Sequence, residues 1–172
     1  AMLKLRPLTL LAAGLLLVLP APAQEDHDGA DADGPRSWTT RHEGTFGGVG
    51  IEYLAVAGET YIRDREGEPT ASIWSVSYLR TDIEDKNRPV VFLWNGGPGS
   101  SSVWLHMGAY GPKRVAVPSE AEDDGAPPFP VEDNPLCFLD LADIVFIDPV
   151  GTGFSHALGE HKKSEFYGVT QD

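Results

Sequence analysis

Cysteine is almost missing from this chain of 172 residues: the one present, Cys137, has no partner for an internal disulfide. A lone cysteine of this kind reads as a small buried apolar side chain rather than a reactive thiol. Positive charge is also scarce. Lysine and arginine number 13 against 26 aspartates and glutamates, giving a formal charge of −13. That balance disfavours nucleic acid and anionic membrane surfaces as partners, because both would be repelled. Long apolar runs are lacking too. The longest, Leu8 to Leu19, is twelve residues, short of the roughly 20 needed for an ordinary membrane-spanning helix. No phosphate-binding loop is present either. Gly44, Gly47, Gly48 and Gly50 follow no strand and lead to no Lys-Ser or Lys-Thr pair.

What is present begins with an export signal. Lys4 and Arg6 precede the apolar run, Pro20 breaks it, and Ala21-Pro22-Ala23 supplies small residues at the cleavage distance. Residues 1–23 therefore read as a signal peptide cut before Gln24, with an uncleaved anchor as the competing reading. The expected destination is the periplasm or the exterior, with no membrane attachment after cleavage. Residues 24–40 read as an acidic flexible linker. Its first part, QEDHDGADADGPR, has too few apolar groups to order itself. His27 among its aspartates reads as part of a solvated tail rather than a metal ligand. Residues 41–172 form the folded portion. Its apolar content, within a chain that is 41% hydrophobic, suits a globular core.

Within that portion the pattern is β from Thr45. Ile51, Tyr53, Ala55 and Ala57 alternate with their neighbours, and a short run follows at Thr60 to Arg63. Asp64-Arg65-Glu66-Gly67 is a turn, and Ala71 to Arg80 places Trp74, Val76 and Tyr78 on one face. These predict antiparallel edge strands. Lys113 to Asn134, rich in proline and acidic residues, predicts a long excursion loop. Leu141 to Asp148 predicts a buried strand, with Gly151 and Gly153 turning at its end.

The stretch that organises the chain is PVVFLWNGGPGSSS, Pro89 to Ser102. Its apolar run from Val90 to Trp94 predicts a strand buried on both faces. The glycines after it permit positive φ and close approach of a ligand. Ser100 or Ser101 is positioned to cap a helix in which Val103, Trp104 and Met107 share a face, ended by Gly108, Gly111 and Pro112. A strand that ends at glycines and enters a helix presents backbone N–H groups, a ready arrangement for negative charge. A tight turn whose glycines serve packing alone is the competing reading. At the C-terminal edge of an open α/β sheet, both glycine turns are expected to line one crevice.

NGGPGSSS after an apolar strand, DIVFIDPVGTGFS from Asp143 to Ser155, and Gly111-Pro112 at matching spacing together resemble the serine carboxypeptidase family. The resemblance runs from about Thr40 to Asp172. It implies an α/β-hydrolase fold, here its N-terminal portion, with antiparallel strands leading into a mostly parallel sheet. It implies a serine-type carboxypeptidase that removes C-terminal residues from peptides through an acyl-enzyme. By the same resemblance, the Gly97 N–H is one of two donors to the oxyanion. The Asn95 side chain and Gly96 N–H hold the substrate's C-terminal carboxylate, donating without adding a charge. No cofactor and no metal are implied, the partners being peptides with a free C-terminal carboxylate.

The nucleophile is harder to place. Acyl transfer on this fold needs a serine on a sharp strand-to-helix elbow, followed in the chain by the acid and then the histidine. GFSHA, Gly153 to Ala157, is the near match. Ser155 is rejected because the glycine turn separates it from its strand, and because adjacent residues such as His156 point apart. Asp148 precedes any elbow and so is not the triad acid, and His106 reads as a packing or supporting histidine. The triad is expected beyond this chain, which should be inactive alone. Two departures stand out: Ala109 where many members carry a glutamate, and Ser100 where eukaryotic members often carry a cysteine. With the shorter Asp148-Pro149-Val150 loop, these imply a bacterial-type exported member. The alternatives are an acyltransferase or esterase on the same fold, or a non-catalytic secreted binding module.

Overall fold

The first strands form a hairpin whose turn is set by two glycines. β1 (Ser37–Phe46) and β2 (Val49–Arg63) pair antiparallel from Ser37↔Gly58 to Phe46↔Val49. Gly47 and Gly48 join them at φ +56° and +81°, the doubly positive geometry that a two-residue turn needs to match strand twist. The computed structural model describes residues 34–96, 99–117 and 128–168. β1 starts at Ser37, earlier than Thr45, within the stretch that reads as linker. Its short apolar and threonine-rich pattern is stabilised by pairing with β2 rather than by its own periodicity.

β3 (Pro69–Arg80) extends the sheet antiparallel to β2. The turn between them is the expected one: the Asp64 carboxylate accepts the N–H groups of Glu66 and Glu68 at 3.0 and 2.8 Å, and Gly67 takes φ +93°. The chain then crosses to β4 (Val90–Leu93) and returns through β7 (Asp143–Ile147). β7 inserts between β3 and β4, antiparallel to the first and parallel to the second, giving the order β1-β2-β3-β7-β4. A two-residue strand, β8 (His156–Ala157), pairs with the start of β3.

The core lies on one face of this mixed sheet. Phe46, Ile51, Tyr53, Ile144 and Phe146 meet Cys137 and Leu139 from the segment before β7, with Tyr78, Leu93, Leu105 and Phe138 packed around them. Cys137 is buried, and desolvation pushes its thiol up to about 11. It behaves as the inert apolar side chain expected.

Four expectations are corrected. β4 is not buried on both faces: Val90 and Phe92 are 47% and 55% exposed, and Trp94 just beyond is also exposed. Side chains alternate along a strand, so Val91 and Leu93 face the core while Val90 and Phe92 face the side that no described residue covers. β7 is shorter than Leu141 to Asp148. Leu141 is exposed in a turn whose N–H donates to Phe138 O.

The helix is also different. α1 (Val103–Leu105) runs directly into a π-helical turn, His106–Tyr110, closed by Gly111 N–H to His106 O at 2.9 Å. Ser102, not Ser100 or Ser101, holds the N-cap position, and its side chain makes no cap bond. The wider π turn carries the chain past Gly108 and turns Leu105 and His106 inward, leaving Val103 and Trp104 exposed. Finally, Lys113–Asn134 is more than an excursion loop. β5 (Lys113–Val115) and β6 (Val131–Asp133) pair antiparallel at its base. Opposed charges face each other there, Lys113 with Asp133 and Arg114 with Glu132. Such directly opposed pairs favour the ribbon by a few tenths of a kcal/mol, up to about 1 kcal/mol each.

Candidate active site: two glycine turns joined at Asp148

β4 and β7 are adjacent and parallel, so their C-terminal ends lie side by side. Asn95 and Gly96 follow β4 directly. Asn95 is partly buried, its Oδ1 has no hydrogen-bond partner among the described residues, and Gly96 is exposed. Gly97, the expected oxyanion donor, lies outside the described residues. Gly99 takes φ +108°, confirming that this turn uses a glycine where a side chain would be strained.

The turn after β7 is tied to it by one carboxylate. Asp148 is buried, and its Oδ1 accepts the Ser102 N–H at 2.7 Å while Oδ2 accepts the Phe154 N–H at 3.4 Å. The Ser102 hydroxyl donates to Ile147 O, one residue before. Gly153 is required on two grounds: its backbone sits at φ +52°, and a Cβ there would lie 1.8 Å from Asp148 Oδ2. Ser101 and Ser102, at the exit of the first turn, and Asp148, Gly153 and Phe154 of the second line one cavity of about 460 Å3, whose walls also include Trp74, Val103, His106 and Phe146. Asn95, Gly96 and Gly99 are not among its lining residues, so the expected crevice involves the first turn only through its two serines.

Ser155 is a structural serine, as expected. Its Oγ accepts the Trp74 N–H at 2.7 Å and donates to Asp148 O at 2.7 Å. Both capacities of the hydroxyl are spent on backbone, so it is not poised for attack. His156 turns away and contacts Phe154 O at 3.0 Å through Nδ1. His106 stacks on Phe146 with ring centres 4.5 Å apart, and its Nε2 meets the Tyr78 hydroxyl at 2.6 Å. Burial lowers its pKa, with the Asp148 charge opposing weakly. A neutral imidazole locked against a phenol is a packing element, and burial also raises the Tyr78 pKa. Among the described residues no serine hydroxyl is hydrogen-bonded to a histidine, and no cluster of metal-binding side chains occurs.

Three supporting residues escaped the sequence reading. Asn134 is fully buried, its Nδ2 donating to Ala109 O and Gly111 O at 2.6 and 2.8 Å and its Oδ1 accepting the Leu136 N–H. It fixes the end of the π turn, and its Asn-Pro dipeptide was the available signal. Arg88 pairs with Asp143 at 2.8 Å and also donates to Leu139 O, anchoring the start of β4 to that of β7. Asp148 was weighed only as a triad acid. Its role as a link was invisible because its partners lie 46 and 6 residues away.

The mixed sheet with a strand inserted by crossover, and glycine turns at the ends of its parallel pair, is part of an α/β-hydrolase fold. The serine carboxypeptidase family matches residues 69–170, more than half of the chain, so the chain belongs to that family. It is similar to carboxypeptidase Y homolog A of Leptosphaeria maculans, at 30% identity over 58% of this chain and 16% of that protein. The pheromone-processing carboxypeptidase KEX1 of Ogataea parapolymorpha is 43% identical over 41% of the chain and 10% of its own length. The mouse lysosomal protective protein is 30% identical over 70% of the chain and 25% of its own length. The chain thus spans a quarter or less of each of these relatives.

Proposed function

We propose that the complete gene product is an exported serine carboxypeptidase that releases C-terminal residues from peptides through an acyl-enzyme. In this reading the present chain supplies the Gly97 N–H to the oxyanion, and the Asn95 side chain and Gly96 N–H to the substrate carboxylate. The observation that carries it is the cavity beside the C-terminal ends of the parallel pair β4 and β7, lined by Ser101 and Ser102 after the first glycine turn and by Asp148, Gly153 and Phe154 of the second. A donor aimed at developing charge acts in the transition state, and removing one typically lowers turnover by about 10² to 10³. Export rests on residues 1–23, which lie outside the described residues. A bacterial-type origin rests on Ser100 and the Asp148-Pro149-Val150 loop alone, the relatives above being fungal and murine.

The test is the complete gene product assayed on an N-blocked dipeptide with a free C-terminal carboxylate and on the same dipeptide amidated. Hydrolysis of the free acid, with KM raised selectively for it by Asn95→Ala, is the expected result. Equal action on the amide or on simple esters would point to an esterase or acyltransferase. No hydrolysis of any of them would leave a binding module.

A further inference from the structure

We propose that Asn95-Gly96 is a self-modification site: the Gly96 backbone nitrogen attacks the Asn95 side-chain amide, and the carboxylate that results opposes binding of a substrate carboxylate there. The modification stands on the structure alone, and its effect on turnover rests on the carboxypeptidase reading.

The chain has three asparagines, and they differ in the residue that follows. Ring closure on an asparagine needs the next main-chain N–H to reach the side-chain carbon. Asn134 precedes Pro135, whose nitrogen carries no hydrogen, and both ends of its buried amide are bonded to backbone. Asn87 precedes Arg88, whose N–H is spent on Asp85 O at 3.2 Å and whose guanidinium is anchored to Asp143. Asn95 differs from both. Gly96 lies beyond the last residue of β4, is exposed, and donates no main-chain hydrogen bond among the described residues. Apart from its chain neighbours, no described residue comes within 4 Å of where a Cβ on Gly96 would stand, so the nitrogen is unshielded. Glycine also gives the peptide the freedom to swing that ring closure requires. The Asn95 Oδ1 accepts no hydrogen bond from a described residue, so turning the amide breaks no bond to that oxygen.

The step balances with water as its one co-reactant. The Gly96 nitrogen forms a bond to Asn95 Cγ, the Cγ–Nδ2 bond breaks, and ammonia leaves with the Gly96 proton. Water then opens the cyclic imide. Opening at Cγ gives aspartate, and opening at the Asn95 main-chain carbonyl gives isoaspartate. Either product puts a negative charge where the proposed function has a neutral amide donating to the substrate's carboxylate. Like charges brought face to face oppose binding. Isoaspartate also routes the main chain through the side chain, lengthening it directly after β4. Hydrolysis of free-acid peptides should therefore fall as the converted fraction rises.

The experiment holds the complete gene product at mildly alkaline pH, beside a synthetic peptide of Pro89 to Ser102. Peptide mass spectrometry follows all three asparagines, and enzymatic methylation detects isoaspartate. Expected are ammonia release and conversion of Asn95 on the time scale of the free peptide, with Asn87 and Asn134 intact. An Asn95 that keeps its amide in the folded protein while the peptide converts overturns the proposal, as does equal conversion at Asn87. Gly96→Ala should slow conversion several-fold, and an unchanged rate would remove Gly96 from the mechanism. If that variant does not fold, the comparison of wild type with peptide decides. Asn95→Asp copies the converted state and should raise KM for the free-acid dipeptide by about tenfold or more. Wild-type kinetics in Asn95→Asp would overturn the effect on turnover. If the wild type cleaves nothing, the carboxypeptidase reading falls and takes that effect with it, while the mass of the Asn95 peptide still judges the modification.

Discussion

The Ser102 N–H donates to the Asp148 carboxylate at 2.7 Å, a bond between residues 46 positions apart. It joins the ends of two neighbouring parallel strands, which no local propensity could bring together. Two of the sequence motifs that mark the resemblance, NGGPGSSS and DIVFIDPVGTGFS, each hold one half of this contact. One motif glycine follows from it: Gly153 is the position where the carboxylate leaves no room for a side chain.

Ser155 should be dispensable for chemistry but not for the fold. Ser155→Ala removes the acceptor for the part-buried Trp74 N–H and the donor to Asp148 O in a buried bond. The expected loss is about 1–3 kcal/mol, the desolvation cost of leaving such groups unmade. Denaturant unfolding of the complete gene product measures this, and turnover per folded molecule should be unchanged. Abolished turnover in a fully folded variant would make Ser155 the nucleophile after all.

Breaking the Arg88–Asp143 pair should destabilise strongly. Both side chains are well buried, at 8% and 17% exposure, and Asp143 also accepts the Arg80 N–H at 3.0 Å. Removing one partner leaves the other charge buried, so Arg88→Ala should cost about 3–5 kcal/mol in chemical unfolding. A loss below about 1 kcal/mol would mean that water replaces the guanidinium without penalty.

His106 should make stability fall in mild acid. Burial holds its folded pKa below the unfolded value near 6.5. The unfolded chain therefore takes up the proton first, and stability present above about pH 6.5 is lost as pH drops toward the folded pKa. Asp148 and the Tyr78 hydroxyl are the ionisable groups that bear on it. His42 is shifted in the same direction by burial, so the comparison must be differential. Melting temperature from pH 7.5 to 5.5 should decline less in His106→Gln than in the wild type. Parallel curves would assign the acid sensitivity elsewhere.

The uncovered sheet face should make the 172 residues self-associate when expressed alone. Phe92 and Trp94 on that face are 55% and 60% exposed, and Trp104 and Phe154, elsewhere on the surface, are 70% and 71% exposed, a large apolar surface for one small unit. β4 adds a sheet edge with no neighbour among the described residues. Light scattering should show aggregates or expanded species. A monomer with a sharp, reversible melt would contradict this.

Much of this was legible along the chain because it depends on neighbours in sequence. The alternation of Ile51 and Tyr53, the Asp64–Gly67 turn and the apolar runs at β4 and β7 announce strands by period and composition. The glycine turns announce themselves by their inability to carry side chains, and with their flanking strands they marked the family. What stayed hidden depends on distance through space. The one-sided burial of β4 follows from β7 taking the inner position and from what does or does not lie over each face. The β5–β6 ribbon is made by cross-strand pairing of short segments with no periodicity of their own. The same holds for the site. Residue types and spacing determined that two glycine turns would end two strands and that Ser155 sits beyond its strand. Only the tertiary structure decided that Asp148 binds both turns and that Ser155 spends its hydroxyl on backbone, because hydrogen bonds are satisfied by whatever group folding brings within reach, not by the next residue in the chain.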